Sequence, residues 1–156
     1  MGKRLLSVIV CLFLLASVSA CKKKEQAKKG MPEDLKAGPQ IVVPDAVKGK
    51  WDGVRITVRD KSANKSEEIT IKLNGENAVP KTNLKIKVGE FLPDYKMEGL
   101  TITSASNDPN NPAVQVTVHE DEKEIFMGWL YSKFPEVQPF KHDKYAITLK
   151  EGIKKH

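Results

Sequence analysis

The run Val54-Arg55-Ile56-Thr57-Val58-Arg59 decides the fold, because apolar and polar side chains alternate there without a break. A strand turns successive side chains to opposite faces, so this run is a half-buried strand with Val54, Ile56 and Val58 on the inner side. The same period of two recurs along the chain, in Ile69, Ile71 and Leu73, in Leu84, Ile86 and Val88, in Leu100 and Ile102, in Val114, Val116 and Val118, and in Tyr145, Ile147 and Leu149. No stretch of comparable length from residue 41 onward has helical spacing. Ile41-Val42-Val43 reads as an edge strand that Pro44 stops.

Turn formers separate these runs: Lys61-Ser-Ala-Asn64, Asn74-Gly75, Asn107-Asp-Pro-Asn-Asn-Pro112 and Glu120-Asp-Glu-Lys123. Asn and Gly tolerate positive φ and Pro fixes φ, so each group breaks a strand for its own reason. The spacing predicts an all-β domain over residues 41–156, a single antiparallel β-sandwich or small barrel of about seven to eight short strands.

Residues 124–131 depart from the alternating pattern. Ile125, Met127, Trp129 and Tyr131 fall on one face and Phe126 and Leu130 on the other, so both faces are apolar. That pattern predicts a central strand covered on both sides, or else an exposed apolar patch continued by Phe134-Pro135 and Pro139-Phe140, where a partner docks. Gly128 in its interior suits a bulge or the close approach of another backbone.

The first 20 residues read differently. Lys3 and Arg4 precede an uncharged run of 16 residues, Leu5 to Ala20, which ends at Cys21 and Lys22-Lys23-Lys24. This is the layout of a secretory signal peptide, too short for the roughly 20 apolar residues of a spanning helix. Val18-Ser19-Ala20-Cys21 resembles a bacterial lipobox, with Val18 where Leu is commonest. The resemblance implies cleavage before Cys21, a thioether-linked diacylglycerol and fatty acyl chains such as palmitate, which hold a domain on a membrane without a spanning helix. The other cysteine, Cys11, lies in the discarded run, so the mature chain forms no internal disulfide. Lys22 after the cysteine, rather than Asp, points to the outer membrane, facing the periplasm, under enteric sorting rules.

The chain of 156 residues carries a formal charge of +6, and its distribution matters more than its size. The signal holds two basic residues. Residues 21–50 hold eight lysines against four acidic residues, and residues 51–156 hold 16 basic and 16 acidic residues. Residues 21–40 have hardly an apolar side chain and read as a flexible tether, of r.m.s. span about 25 Å, whose lysines lie beside lipid headgroups. The neutral β-domain lacks the basic face that nucleic-acid binding needs.

The block Ile125-Phe126-Met127-Gly128-Trp129-Leu130-Tyr131-Ser132-Lys133-Phe134-Pro135, followed by His142 and Tyr145, resembles a family of bacterial envelope proteins known only as domain of unknown function 2155. The likeness covers roughly residues 50–150. Relatives often have Pro after the His and a terminal Cys; here Asp143 follows and the last strand has no Cys. The resemblance implies location and fold class and no activity. Phe91-Leu92-Pro93-Asp94-Tyr95 and Asn111-Pro112-Ala113 are similar to elements in the periplasmic part of the ResB family of cytochrome c assembly proteins, which implies an accessory role in haem assembly as one alternative. The chain has no Cys-x-x-Cys-His haem attachment motif.

Motifs for catalysis are missing from the sequence: there is no Gly-x-Ser-x-Gly, no His-Glu-x-x-His and no phosphate loop. Glu67 and Glu68 would alternate in facing. Of His119, His142 and His156, only His142 has a promising setting, between a Pro-aromatic loop and Tyr145, where a structural hydrogen bond is the expected role. The expectation is a non-enzymatic binding or assembly accessory with no metal and no cofactor, lipidated at Cys21 and joined to the membrane there, with an envelope protein as partner. Its candidate surface is Trp129, Tyr131, Phe134, Pro135, Phe140, His142 and Tyr145. The alternative is a small-ligand binder in which Trp129, Tyr131, Phe140, His142 and Tyr145 line a pocket.

Overall fold

A computed structural model describes residues 38–156; the expected signal, Cys21 and the tether up to residue 37 lie outside the described residues. Among the described residues ten strands form three sheets: β1 (Gln40–Ile41), β2 (Trp51–Asp60), β3 (Lys65–Lys72), β4 (Glu76–Ala78), β5 (Leu84–Leu92), β6 (Tyr95–Glu98), β7 (Thr101–Ser104), β8 (Ala113–Glu120), β9 (Lys123–Tyr131) and β10 (Tyr145–Lys154). The fold is all-β, as the alternation requires.

Two sheets, ordered β10-β2-β3 and β4-β5-β8-β9, face each other as a sandwich. The inner residues foreseen from the pattern meet between them: Val54, Ile56 and Val58 from β2, Ile69 and Ile71 from β3, Leu84, Ile86 and Val88 from β5, and Val114, Val116 and Val118 from β8 share one buried cluster with Ile147 and Leu149. A fully buried Val, Ile or Leu side chain contributes roughly 1.5–3 kcal/mol, so this cluster dominates the stability.

The third sheet, ordered β1-β7-β6, was not foreseen. It covers the outer face of the four-stranded sheet, where Leu92, Ala113, Trp129 and Tyr131 meet Ile102 in a second buried cluster, with Ile41 and Tyr95 against it. Residues 113, 129 and 131 point away from the main core because residues 114 and 130 point into it.

This layering corrects three expectations. β9 is the edge strand of its sheet and not a central one, and only its end is covered on both sides: Leu130 enters the main core, Trp129 and Tyr131 the second, and Met127 is 61% exposed. The pairing is not wholly antiparallel, since β1 runs parallel to β7 with Ile41 beside Ile102. The β-domain also takes in Gln40, which lies before the expected boundary at residue 41, since its N–H donates to Leu100 O at 2.8 Å.

The strand directions sort the connections into two ends. At one end lie the turns 61–64, 79–83 and 121–122 and the start of β10, tied by Lys61 N–H to Lys144 O at 2.8 Å and by Asp121 N–H to Asn83 O at 3.2 Å. The segment 44–50, through which the chain enters β2, lies at the other end beside the C-terminus, where Lys155 N–H donates to Lys50 O at 2.9 Å. Between β8 and β9 the two-residue turn Asp121-Glu122 has φ of 48° and 67°, the double positive φ that joins right-twisted strands in a tight hairpin.

Candidate functional site

At the far end from where the chain enters, His142 organises the last loop. Its Nδ1 accepts the backbone N–H of Lys144 and of Tyr145, each at 3.1 Å. An accepting Nδ1 places the proton of the neutral ring on Nε2, which lies 3.2 Å from Glu120 Oε1 and donates to it. The ring also stands in an aromatic ladder: Phe126 meets Phe140 edge to face at 5.7 Å, Phe140 stacks on His142 at 5.6 Å, and His142 stacks on Tyr145 at 5.2 Å. Every polar atom of the imidazole is committed, so His142 is a clip that fixes the entry into β10.

The other candidate residues do not form one surface. Phe140 and Tyr145 are buried in the main core, whereas Trp129 and Tyr131 lie in the second cluster on the opposite face of the four-stranded sheet. Tyr95 joins the latter pair, with its ring 5.3 Å from Trp129 and 5.1 Å from Tyr131, both edge to face. Burial first, and the neighbouring Tyr95 hydroxyl second, hold the Tyr131 phenol well above its ordinary pKa. Phe134 is half exposed in the loop between β9 and β10, where Pro135 is also exposed. The pocket expected from Trp129, Tyr131, Phe140, His142 and Tyr145 is therefore not assembled, because a sheet separates its members. What closely approaches Gly128 is a side chain and not the expected backbone: Gln138 Oε1 accepts Trp129 N–H at 2.6 Å, and a Cβ on Gly128 would lie 2.7 Å from that oxygen.

The same end holds a cleft of about 310 Å³ that the sequence reading missed. Val58, Val79 and Tyr145 are its buried apolar lining, and Lys65, Glu67 and Lys81 are charged groups at its sides. It exists because the two sheets part there: Lys65, Ser66, Glu67 and Glu68 are all exposed, although Ile69 and Ile71 on the same strand are buried. The signal was present as Lys65-Ser66-Glu67-Glu68, four polar residues in a row where the inner positions of every long neighbouring strand are apolar. Asp60 closes the turn below it, its Oδ1 accepting the N–H of Ser62 at 2.8 Å and of Ala63 at 2.9 Å. Those bonds, Ala63 foremost, pull the carboxylate pKa below its ordinary value. Lys81 is held at φ 59°, a left-handed conformation unusual for a lysine.

Elsewhere, a groove of about 330 Å³ lies beside Val47, Trp51 and Phe91 at the end where the chain enters. The segments 91–95 and 111–113 do meet in space: Asp94 bridges Asn111, Leu92 pairs with Ala113, and Ser106 Oγ donates to Asp94 Oδ2 at 2.9 Å. The Asp94–Asn111 bridge and the bonds between Tyr95 and Asn111, at 2.9 and 3.1 Å, seam the third sheet to the segment that leads into β8. Among the described residues no group of three or more His, Cys, Asp or Glu gathers at a metal-binding distance.

A family model described as "uncharacterized protein conserved in bacteria (DUF2155)" matches residues 54–151, from Val54 within β2 to Glu151 within β10. No curated protein and no solved structure matches the chain.

Proposed function

The chain belongs to this family of uncharacterized proteins conserved in bacteria, and from that premise we propose that it is a lipid-anchored accessory of the cell envelope that binds another protein. Acylated Cys21 holds it on the membrane, the outer membrane facing the periplasm, the Lys-rich tether gives it reach, and the β-domain recognises the partner without performing a reaction. The observation that carries this reading is the polarity of the domain. The chain enters β2 through the segment 44–50 at one end, while the turns 61–64, 79–83 and 121–122 and the cleft gather at the other. A domain tied down at the first end presents the second to whatever lies beyond the membrane surface. The commitment of His142 to backbone and Glu120 supports a recognition role over catalysis, since the best-placed imidazole is occupied in holding a loop.

Fractionation of cells expressing the wild type and Cys21→Ala tests the anchor. The wild type is expected to float with outer membranes after a salt wash and Cys21→Ala to be released; a Cys21→Ala chain that stays membrane-bound overturns it. The second reading, a small-ligand binder, is favoured by the cleft itself, whose volume is at the lower limit of the roughly 300–1,000 Å³ typical of ligand pockets. A bound small molecule carried through native purification and released on denaturation would favour that reading instead.

A further inference from the structure

We infer that the outer edge of β3 at Ser66–Glu68, together with the cleft beside it, receives an extended segment of a partner protein as an added strand. The inference rests on the binding-accessory reading and names where the partner docks.

β3 ends its sheet, with β2 on one side only. The direction of its backbone groups follows from one bond: Asn77 Nδ2 donates to Thr70 O at 3.1 Å from the side away from β2. In an antiparallel ladder the N–H and C=O of a residue point the same way and alternate residue by residue. Ser66 and Glu68, two and four positions before Thr70, therefore turn both backbone groups to the open side. Among the described residues none of those four groups has a hydrogen-bond partner. Asn77 shields the edge at Thr70 and leaves it bare nearer the cleft.

An added strand uses such an edge in two ways: backbone hydrogen bonds supply affinity, and pockets for alternate side chains supply selectivity. Both parts are adjacent here. Lys65 and Glu67 point to the inner side, with Ile69 and Ile71, and line the cleft. A strand laid against Ser66–Glu68 would send every second side chain into that cleft, over Val58, Val79 and Tyr145. The volume suits one or two side chains of a peptide better than a larger solute.

The charges select the occupant. If two copies paired antiparallel through Ser66 and Glu68, Glu67 of one would face Glu67 of the other, a repulsive cross-strand pair. A different chain avoids this, and a basic residue opposite Glu67 makes the pair attractive. The occupant is thus an extended segment of another protein, with an aliphatic side chain for the cleft and a lysine or arginine near Glu67.

The test selects displayed random heptapeptides on the full chain in detergent, then measures amide exchange by NMR with a selected synthetic peptide bound. Enriched peptides should carry an aliphatic and a basic residue two positions apart, on one face of the strand, and should slow exchange at Ser66 and Glu68 by about tenfold or more. Ser66→Pro removes an N–H that bonds nothing among the described residues, which edge strands tolerate, and should weaken binding about tenfold with little change in thermal unfolding. Glu67→Lys is the second variant and should shift the selected peptides from basic to acidic. Failure of any peptide to enrich, protection only at other amides, or wild-type binding by both variants overturns docking at β3. None of these results alters the Cys21→Ala fractionation, so failure here is separable from failure of the anchor.

Discussion

His142 Nδ1 accepts the N–H groups of the residues two and three positions on, Lys144 and Tyr145, and Asp60 Oδ1 does the same for Ser62 and Ala63. The histidine therefore plays the part that an Asx side chain plays at a turn. What Asp cannot supply is the second nitrogen, which reaches Glu120, and the flat ring between Phe140 and Tyr145.

That comparison separates the parts of His142. His142→Ala should cost about 2–3 kcal/mol, since it strips the partly buried Tyr145 N–H of its acceptor and empties the aromatic ladder. His142→Asn restores an acceptor for the two N–H groups and should recover about 1 kcal/mol of the loss. Urea unfolding of the three proteins checks the order; an Asn variant no better than Ala would show that the stacked ring, not the turn, is what matters.

Two glycines differ in what a methyl group would strike. At Gly152 an added Cβ lies 2.4 Å from the Phe91 ring and 2.8 Å from the Trp51 ring, which pack against each other at 4.8 Å. Neither ring has room to retreat, so Gly152→Ala should cost about 3 kcal/mol. At Gly128 the obstacle is the end of the Gln138 side chain, which can swing out at the loss of its bond to Trp129 N–H, and Gly128→Ala should cost about 1 kcal/mol. Denaturant midpoints measure both, and a larger loss at Gly128 would contradict the packing described.

Lys81 offers the opposite experiment. Its φ of 59° is a left-handed conformation that a long side chain such as lysine disfavours, while its exposed head makes no hydrogen bond or ion pair among the described residues. Lys81→Asn, which tolerates that conformation, should stabilise the domain by about 0.5–1 kcal/mol and raise its melting temperature by a few degrees. An unchanged or lowered melting temperature would mean the loop adapts around the lysine.

The two limbs of the pH profile have different owners. Asp60 titrates below its ordinary 3.8 in the fold, chiefly through the Ala63 N–H. Its contribution is therefore present above pH 3.8 and lost as pH falls through the folded value. Tyr131 is shifted upward from 10.0 by burial. Unfolded chains ionise it from about pH 10 while folded chains keep it neutral, so stability falls as pH rises past 10. Lys85 and Lys144, raised by Glu122 and Tyr145 respectively, add to that alkaline loss. Tyr131→Phe should flatten the decline in unfolding midpoint between about pH 10 and 11.5, and a slope equal to wild type would remove Tyr131 as a cause.

Legibility in the sequence followed length and locality. The runs around Val54, Val116 and Ile147 span enough residues for alternation to be unmistakable, and each became a strand at the expected place. β4, Glu76–Ala78, has three residues, all exposed, so it has no apolar period to read. β6, Tyr95–Glu98, alternates over only four residues. The third sheet depends on Ile41 meeting Ile102, a parallel pairing across 61 positions that no local pattern encodes. For the same reason the aromatic residues near Trp129 and near Tyr145 looked like one group: the sequence places them close together, and only the intervening sheet separates them. The loop-holding role of His142 was readable because its partners, Lys144 and Tyr145, are local.

The separation into two clusters predicts separate unfolding. The third sheet is held by Trp129, Tyr131 and Tyr95 on one side and by the Asp94 seam on the other, while the main core reaches it through neither. Trp129→Ala should remove an aromatic contact on the outer face and leave Leu130, which points into the main core, in place. Amide exchange in β6 and β7 should then accelerate by about tenfold or more, because local opening of a sheet with few buried contacts needs little free energy. Amides of Val54, Ile56 and Val116 should keep most of their protection. Hydrogen exchange read strand by strand decides the matter: equal acceleration in β2, β7 and β8 would mean that the three layers unfold as one cooperative unit.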